Sequence, residues 1–451
     1  MTDLSGWLRQ GVDAVERWQR GFADHPAHPC QQVDPDRFRA AFAELTELAD
    51  NYPYFHPDYA GQMLKPPHPV AVAGYVTAML VNPNNHAQDG GPATARMERE
   101  AVAQLAGMFG FDRHLGHLTG GGTVANLEAL FVARESHPGK GVAFSAESHY
   151  THARMCQVLG MTGHSVPVDA AGRMDLDALD ALLAKGEVGT VVVTAGTTGL
   201  GAVDPIHEAL ALKERYGVRL HVDAAYGGFF TLLAGDERID PRPWRAIARC
   251  DSVVVDPHKH GLQPYGCGAV LFADPTVARF YRHDSPYTYF TDADLHLGEI
   301  SLECSRAGAA AAALWLTFQV IPPTPDGLGA FLAAGRRAAL GWAELIEDSE
   351  ELDLYQQPEL DILAYFPRRG SLSAVDAASA RVFTDGMNDK ADPVFLSVLK
   401  VDADAFGRRH PGVTADAGGA RLLRSVLMKP ESEARVDRLH RRVEALAADA
   451  R

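Results

Sequence analysis

Apolar residues return every three to four positions at Leu8, Val12 and Val15, and again at Phe38, Phe42, Leu45 and Leu48. That period predicts helices within residues 1–48. Between them, residues 24–36 are rich in Pro, His and Asp and read as a connection. Such an arm has no core of its own, so it is expected to pack on the rest of the chain or on a second subunit. Residues 51–63 read as an aromatic, proline-punctuated loop and 82–91 as another; 68–81 and 94–108 read as helices.

From residue 118 onward, short apolar runs alternate with helical periods. Strands are predicted at 141–145, 165–168, 190–194, 219–222, 251–255 and 268–272, with helices from about 123, at 175–185 and at 205–216. Alternation of this kind predicts a mostly parallel sheet with helices on both faces. The 251–255 run is β-branched and lacks polar alternation, as expected of a strand covered on both sides. After it come a helix, a polar-aromatic loop at 284–294 and a long helix ending near 319. Pro322-Pro-Thr-Pro-Asp-Gly327 is the clearest boundary in the chain. Beyond it, a helix at 331–346, strand-like runs at 360–366, 394–401 and 422–428, and a last helix at 431–447 predict a small α+β domain. The expected organisation is an arm at 1–66, a large domain at 67–322 and a small domain at 323–451.

Composition narrows the function classes. A chain of 451 residues is long enough for one large core with smaller satellites. Its net charge of −16 argues against a nucleic-acid-binding surface. No apolar run reaches the roughly 18–20 residues a membrane helix needs, and the first residues lack the basic and apolar regions of a secretory signal. The five cysteines are scattered, without CxxC spacing, and indicate neither a disulfide framework nor a metal site. A cytoplasmic location is the expectation.

The chemistry gathers at predicted strand ends. Lys259 follows the 251–255 strand, at the carboxyl end where open α/β sheets bind ligands. Lysine is expensive to bury, and a lysine kept unprotonated forms a Schiff base. His149, Thr198 and Asp223 also fall just after strands. Glycines at 120–122 lead into a helix near Thr123, a candidate phosphate cradle. Each has an ordinary reading when taken singly: a helix cap, a turn carboxylate, a loop hydroxyl, a glycine turn. Together on one rim they match what pyridoxal phosphate (PLP) requires: an amine for its aldehyde, a carboxylate for its pyridine nitrogen, a phosphate cradle and a flat group on its ring.

The segments Thr119-Gly-Gly-Gly-Thr-Val-Ala-Asn-Leu127, Ser148-His149, Gly196-Thr-Thr198, His221-Val-Asp-Ala-Ala225 and Asp256-Pro-His-Lys259 resemble, in order and spacing, those of the group II PLP-dependent amino acid decarboxylases. The family includes glutamate, aromatic amino acid, histidine and tyrosine decarboxylases. Leu422-Leu-Arg-Ser-Val-Leu-Met-Lys-Pro430 resembles its C-terminal strand. The resemblance implies the PLP-dependent fold type I, like aspartate aminotransferase, with a seven-stranded type of sheet. It also implies a homodimer with active sites at the subunit interface.

By the same resemblance, Lys259 carries the internal aldimine, Asp223 pairs with the pyridine nitrogen, Ala225 packs on one ring face and His149 on the other. Gly122, Thr123 and His258 lie around the phosphate and Thr198 near the ring substituents. Gln62 matches a substrate-contacting position, Arg306 is a candidate partner for the substrate carboxylate, and Tyr289, or its neighbour Tyr287, is a candidate proton donor. The substrate pocket is expected to be lined by Tyr54, Phe55, Gln62, the 284–294 loop and a partner subunit. Two departures stand out: Thr123-Val124-Ala125 after the glycines, and Cys304-Ser-Arg-Ala-Gly308. The second resembles a branch shared with archaeal-type tyrosine decarboxylases and PLP aldehyde lyases. The expected activity is decarboxylation of an L-amino acid; the alternative is a carbon–carbon lyase on the same fold. A regulator is disfavoured because the arm carries no basic recognition helix. A dinucleotide-dependent dehydrogenase is disfavoured because no GxGxxG follows a strand.

Overall fold

The structure, a computed structural model, describes residues 3–22, 28–48, 51–236, 239–282 and 300–450. Its amino-terminal part is helical: α1 (Leu4–Gln19), α2 (Pro35–Leu45), α3 (Pro69–Met79) and α4 (Pro92–Phe109). Asp34 caps α2 by accepting from the Asp36 and Arg37 amides, with Pro35 at the first turn. The alternation continues as β1 (Leu115–Thr119), α5 (Gly122–Ser136), β2 (Gly141–Ser145), α6 (Thr151–Leu159), β3 (Gly163–Val166) and α7 (Leu176–Leu183). It then runs through β4 (Val188–Thr194), α8 (Ile206–Tyr216), β5 (Arg219–Asp223), α9 (Arg242–Ala246), β6 (Ser252–Val255) and β7 (Gly268–Phe272).

These seven strands form one sheet in the order β1-β7-β6-β5-β4-β2-β3 among the described residues. Pairs from β3 to β6 are parallel, whereas β7 is antiparallel to both β6 and β1. The two reversals cancel. β1 therefore points the same way as β6 and delivers its glycine loop to the same rim as the loops after β2, β4, β5 and β6. Strands β2, β4, β6 and β7 are buried throughout, which is why they read as unbroken apolar runs.

After the sheet come α10 (Ala309–Val320), α11 (Leu328–Glu347), β8 (Leu352–Gln356), β9 (Ile362–Pro367) and α12 (Leu372–Asn388). The chain ends in β10 (Ser397–Asp402), α13 (Ala403–Arg409), β11 (Gly419–Val426) and α14 (Val436–Asp449). Here four strands make an antiparallel sheet, β10-β11-β9-β8. One of its cores is built around Trp342, Leu363, Tyr365 and Leu423, all fully buried. Leu360, Ile362, Val426 and Met428 join the core of the large sheet instead, so the two sheets are packed together.

Several elements differ from the sequence expectations. β1 and β8 were not anticipated, nor was α12, whose buried face mixes the aliphatic Leu372, Val375 and Val382 with the small Ala378, Ser379 and Gly386. The helix expected after residue 272 is a 3₁₀ segment, Pro275–Phe280, started by Asp274, which accepts from the Thr276 amide. The strand expected at 394–401 begins at Ser397.

Candidate active site

The rim of the large sheet opens into a cavity of about 350 Å³. Its walls include Gly122, Thr123, His149, Thr198, Asp223, Ala225, His258 and Lys259, so the topology brings all of the cofactor residues expected from the sequence to one place. Tyr226, Asp256 and Tyr265 share the wall.

Lys259 stands four residues beyond β6, in a tight turn closed by its own amide donating to the Asp256 carbonyl. Its Nζ lies 3.1 Å from Asp256 Oδ2, and the same oxygen lies 3.5 Å from His258 Nε2. Asp256 is buried, and its other oxygen has no hydrogen-bond partner among the described residues. His258 Nδ1 accepts from the Cys267 amide, and its ring lies 4.5 Å from that of Tyr265. Burial lowers the pKa of His258.

Asp223 ends β5, where the strand pleat turns its side chain toward the rim. Its Oδ1 accepts from the Ala225 amide at 3.1 Å and its Oδ2 lies 2.8 Å from His152 Nε2. Burial alone would raise the pKa of this carboxyl. The His152 hydrogen bond overrides that, and the group is held well below the usual carboxylate range. His152 Nδ1 is buried with no hydrogen-bond partner among the described residues, and Nε2 is the ring nitrogen that meets the Asp223 carboxylate.

The glycine loop is shaped for an anion. Gly121 has φ +147°, a region essentially reserved for glycine. A Cβ at Gly122 would stand 2.7 Å from Asp256 Oδ2. Gly122 is the first residue of α5, so unpaired backbone N–H groups and the positive end of the helix dipole face the cavity. Thr123 Oγ1 lies 3.3 Å from Thr151 Oγ1. Asn126 holds the Gly122 carbonyl at 2.9 Å and is itself met by His221, whose pKa burial pulls down to about 3.

His149 accepts from the Thr151 amide at Nδ1 and packs on Tyr150 at 4.2 Å; burial lowers its pKa. Thr198 is fixed from the C-terminal sheet. The buried Arg424 of β11 donates to the Thr198 carbonyl at 2.7 Å and the Gly199 carbonyl at 2.9 Å.

Two expected substrate residues stand off the wall. Arg306 is occupied by Glu98 at 2.8 Å and by the Leu118 carbonyl, which ties the segment before α10 to β1. Gln62 is exposed, and its amide donates to the Tyr59 hydroxyl. Tyr54 and Phe55 do not line the cavity either, and Phe55 is 81% exposed. Tyr287, Tyr289 and the whole 284–294 loop lie outside the described residues. Conversely, His152, Asn126, Tyr265 and Arg424 were not singled out from the sequence. Only His152 left a local signal, three residues after His149 and in the first turn of the helix that follows it.

The cavity fits PLP in each part: an amine at Lys259, a buried carboxylate at Asp223, a glycine cradle at a helix start, and His149 and Ala225 as flat or small packing groups. The chain matches the family described as "Pyridoxal-dependent decarboxylase conserved domain" over residues 53–365. It is 27% identical over 458 residues to an L-tyrosine decarboxylase of Enterococcus faecium, covering 78% of this chain and 74% of that protein. It is 33% identical over 258 residues to a probable L-aspartate decarboxylase of Halobacterium salinarum, covering 56% and 70%. A second L-tyrosine decarboxylase, from Levilactobacillus brevis, is matched over 60% of its length at 26% identity. Among solved structures, mouse CSAD superposes with a TM-score of 0.81 at 22% identity, covering 98% of each chain. Oryza sativa TDC with PLP and tryptamine superposes with a TM-score of 0.80 at 17% identity, covering 99% of this chain and 98% of that one. The chain thus has the PLP-dependent type I fold, and by its domain match it belongs to the group II PLP-dependent amino acid decarboxylases, a family of carboxy-lyases.

Proposed function

We propose that this protein removes the carboxyl group of an L-amino acid as carbon dioxide, with Lys259 as the lysine that binds PLP. The observation that carries the reading is the convergence of the Lys259 amine, the buried Asp223 carboxylate and the Gly121–Gly122 cradle on one cavity. When bound, PLP supplies an electron sink for the pair left on Cα as the carboxyl departs. Asp223, ionised and fixed by His152, keeps a proton on the pyridine nitrogen, which deepens that sink. Gly122, Thr123 and His258 would hold the phosphate end, His149 and Ala225 would confine the ring, and Lys259 would hold the cofactor through its side-chain amine. A proton reaches Cα from His149, which is on the wall, or from Tyr289.

Exposed apolar surface on the amino-terminal helices supports a homodimer. Helix α2 buries none of its residues, and Phe38, Phe42 and Leu45 are 58%, 51% and 72% exposed. An apolar groove of about 850 Å³ between α1, α3, α4 and α10 offers matching surface. The carbon–carbon lyase alternative is disfavoured by the decarboxylase relatives. Five free cysteines among the described residues fit a reducing cytoplasm.

The test is an amino acid panel on purified protein with added PLP, with tyrosine and aspartate first, following carbon dioxide and the mass of the amine. Release of both from one substrate, lost in Lys259→Ala, is the expected result. A protein that holds PLP on Lys259 and releases no carbon dioxide from any amino acid refutes it.

A further inference from the structure

Lys259 is followed by His260, which is buried and points away from the cavity into the C-terminal sheet. His260 Nε2 lies 2.8 Å from Oδ2 of Asp361, the residue just before β9. His260 Nδ1 lies 2.9 Å from the Tyr226 carbonyl. The ring is thus held between two oxygens, the Asp361 carboxylate on one side and the Tyr226 carbonyl on the other. The other oxygen of Asp361 accepts from the Tyr226 hydroxyl at 2.5 Å. The rings of Tyr226 and His260 meet edge to face at 4.6 Å.

One carboxylate therefore grips two strand-end loops at once. One is the turn after β6 that carries Lys259. The other is the turn after β5, where Tyr226 stands three residues past Asp223. Asp361 is in turn tied to the residue just past β11 through its carbonyl, which accepts from the Leu427 amide at 2.9 Å. Burial alone would raise the pKa of Asp361; the charge and hydrogen bond of His260 reverse that, and Tyr226 adds to them. Lys65 and Arg424 bring further positive charge toward it. All three partners are at most 3% exposed, so the clasp is sheltered from water and from screening.

We propose that Asp361 is a positioning residue for Lys259, acting through His260 and Tyr226 to set the lysine against Asp223 from the C-terminal sheet. The proposal rests on the reading that Lys259 is the PLP lysine. Asp361 touches neither the cavity nor the reacting atoms; it acts by fixing the turn on which the amine is carried. A small misplacement of a reacting group costs up to about a hundredfold in rate.

The test uses Asp361→Asn, His260→Gln and the double variant, each as the full chain. Two quantities are read: the rate at which PLP-free protein forms the lysine-bound absorbance with PLP, and kcat and KM for decarboxylation. Asp361→Asn is expected to slow lysine capture and kcat by about 10–100-fold with KM within about twofold. The double variant is expected to be no slower than the slower single one, because both break the same link. Tyr226→Phe, which removes a hydroxyl only, keeps the measurement possible if Asp361→Asn fails to fold; it is expected to slow capture about tenfold. Capture at the wild-type rate in whichever of these two variants folds, or single effects that multiply in the double variant, overturns the proposal. Wild-type protein that forms the absorbance and decarboxylates nothing refutes the proposed activity, while capture rates still decide the positioning role. A Lys259→Ala variant that still forms the lysine-bound absorbance overturns both.

Discussion

Replacing His152 with Phe tests the electrostatics of the site directly. The ring volume is kept and the donor to Asp223 is lost. Asp223 is 5% exposed and would keep one other donor among the described residues, the Ala225 amide at 3.1 Å. A hydrogen bond to a buried charged group contributes about 1.5–3 kcal/mol. The PLP-free protein should therefore lose about 1.5–3 kcal/mol at pH 7.5. In a chain of 451 residues that is a drop in Tm of about 1.5–3 °C. The pH dependence has a definite sign. The folded-state pKa of Asp223 is depressed, so its stabilising contribution is complete above the ordinary carboxylate value of about 3.9 and is lost as pH falls through the folded value. Without His152, burial is opposed less, the carboxyl titrates at higher pH, and the gap between wild type and variant narrows on acidification from neutral pH. His152→Gln, which restores an N–H near the same place, should recover part of the loss. Urea or thermal unfolding at pH 7.5 and 5.5 measures all three proteins. A His152→Phe variant within about 0.5 kcal/mol of wild type at pH 7.5, or one that His152→Gln does not improve upon, refutes the reasoning.

Three other outcomes are expected. Gly121→Ala forces a side chain into a φ of +147° and toward His258 Cε1 at 3.2 Å; the backbone cost is about 1–3 kcal/mol, and PLP affinity by equilibrium dialysis should fall about tenfold or more. Lys65 is partly buried, and that burial pulls its pKa down to about 8, so below that pH its charge works against the fold. Lys65→Met should raise Tm by about 1–3 °C at pH 7, and the gain should vanish as pH approaches the ordinary lysine value near 10.4. Trp342→Ala empties the centre of the C-terminal core, where the ring is fully buried, and should cost about 3–5 kcal/mol in urea unfolding.

What the sequence made legible has a common cause. Strands β2, β4, β6 and β7 are short apolar runs because both of their faces are covered, and that pattern is visible without coordinates. The groups at their carboxyl ends follow from the strand-end rule, which is local. The missed elements obey weaker signals. β1 is Leu-Gly-His-Leu-Thr, and the buried face of α12 mixes aliphatic with small residues. Arg306 illustrates a different limit. A guanidinium suits a substrate carboxylate by chemistry alone, and the sequence gives no sign that its Nη1 meets Glu98, 208 residues away.

The groups that orient the cavity share that remoteness. Asp361 lies 101 residues from His260, Arg424 lies 226 residues from Thr198, and His152 lies 71 residues from Asp223. Motif reading finds side chains that face a ligand because the turn that presents them is encoded nearby. It does not find the buried charge that holds such a turn, because that charge is selected by packing between layers. A buried carboxylate is costly unless matched, so its presence implies a partner whose position is constrained. In this chain the partner of Asp361 is the residue beside Lys259, and the partner of Arg424 is the loop of Thr198. The C-terminal sheet thus bears on the cavity without lining it. The large sheet supplies the groups on the cavity wall, and buried charges of the C-terminal sheet contact two of the loops that carry them.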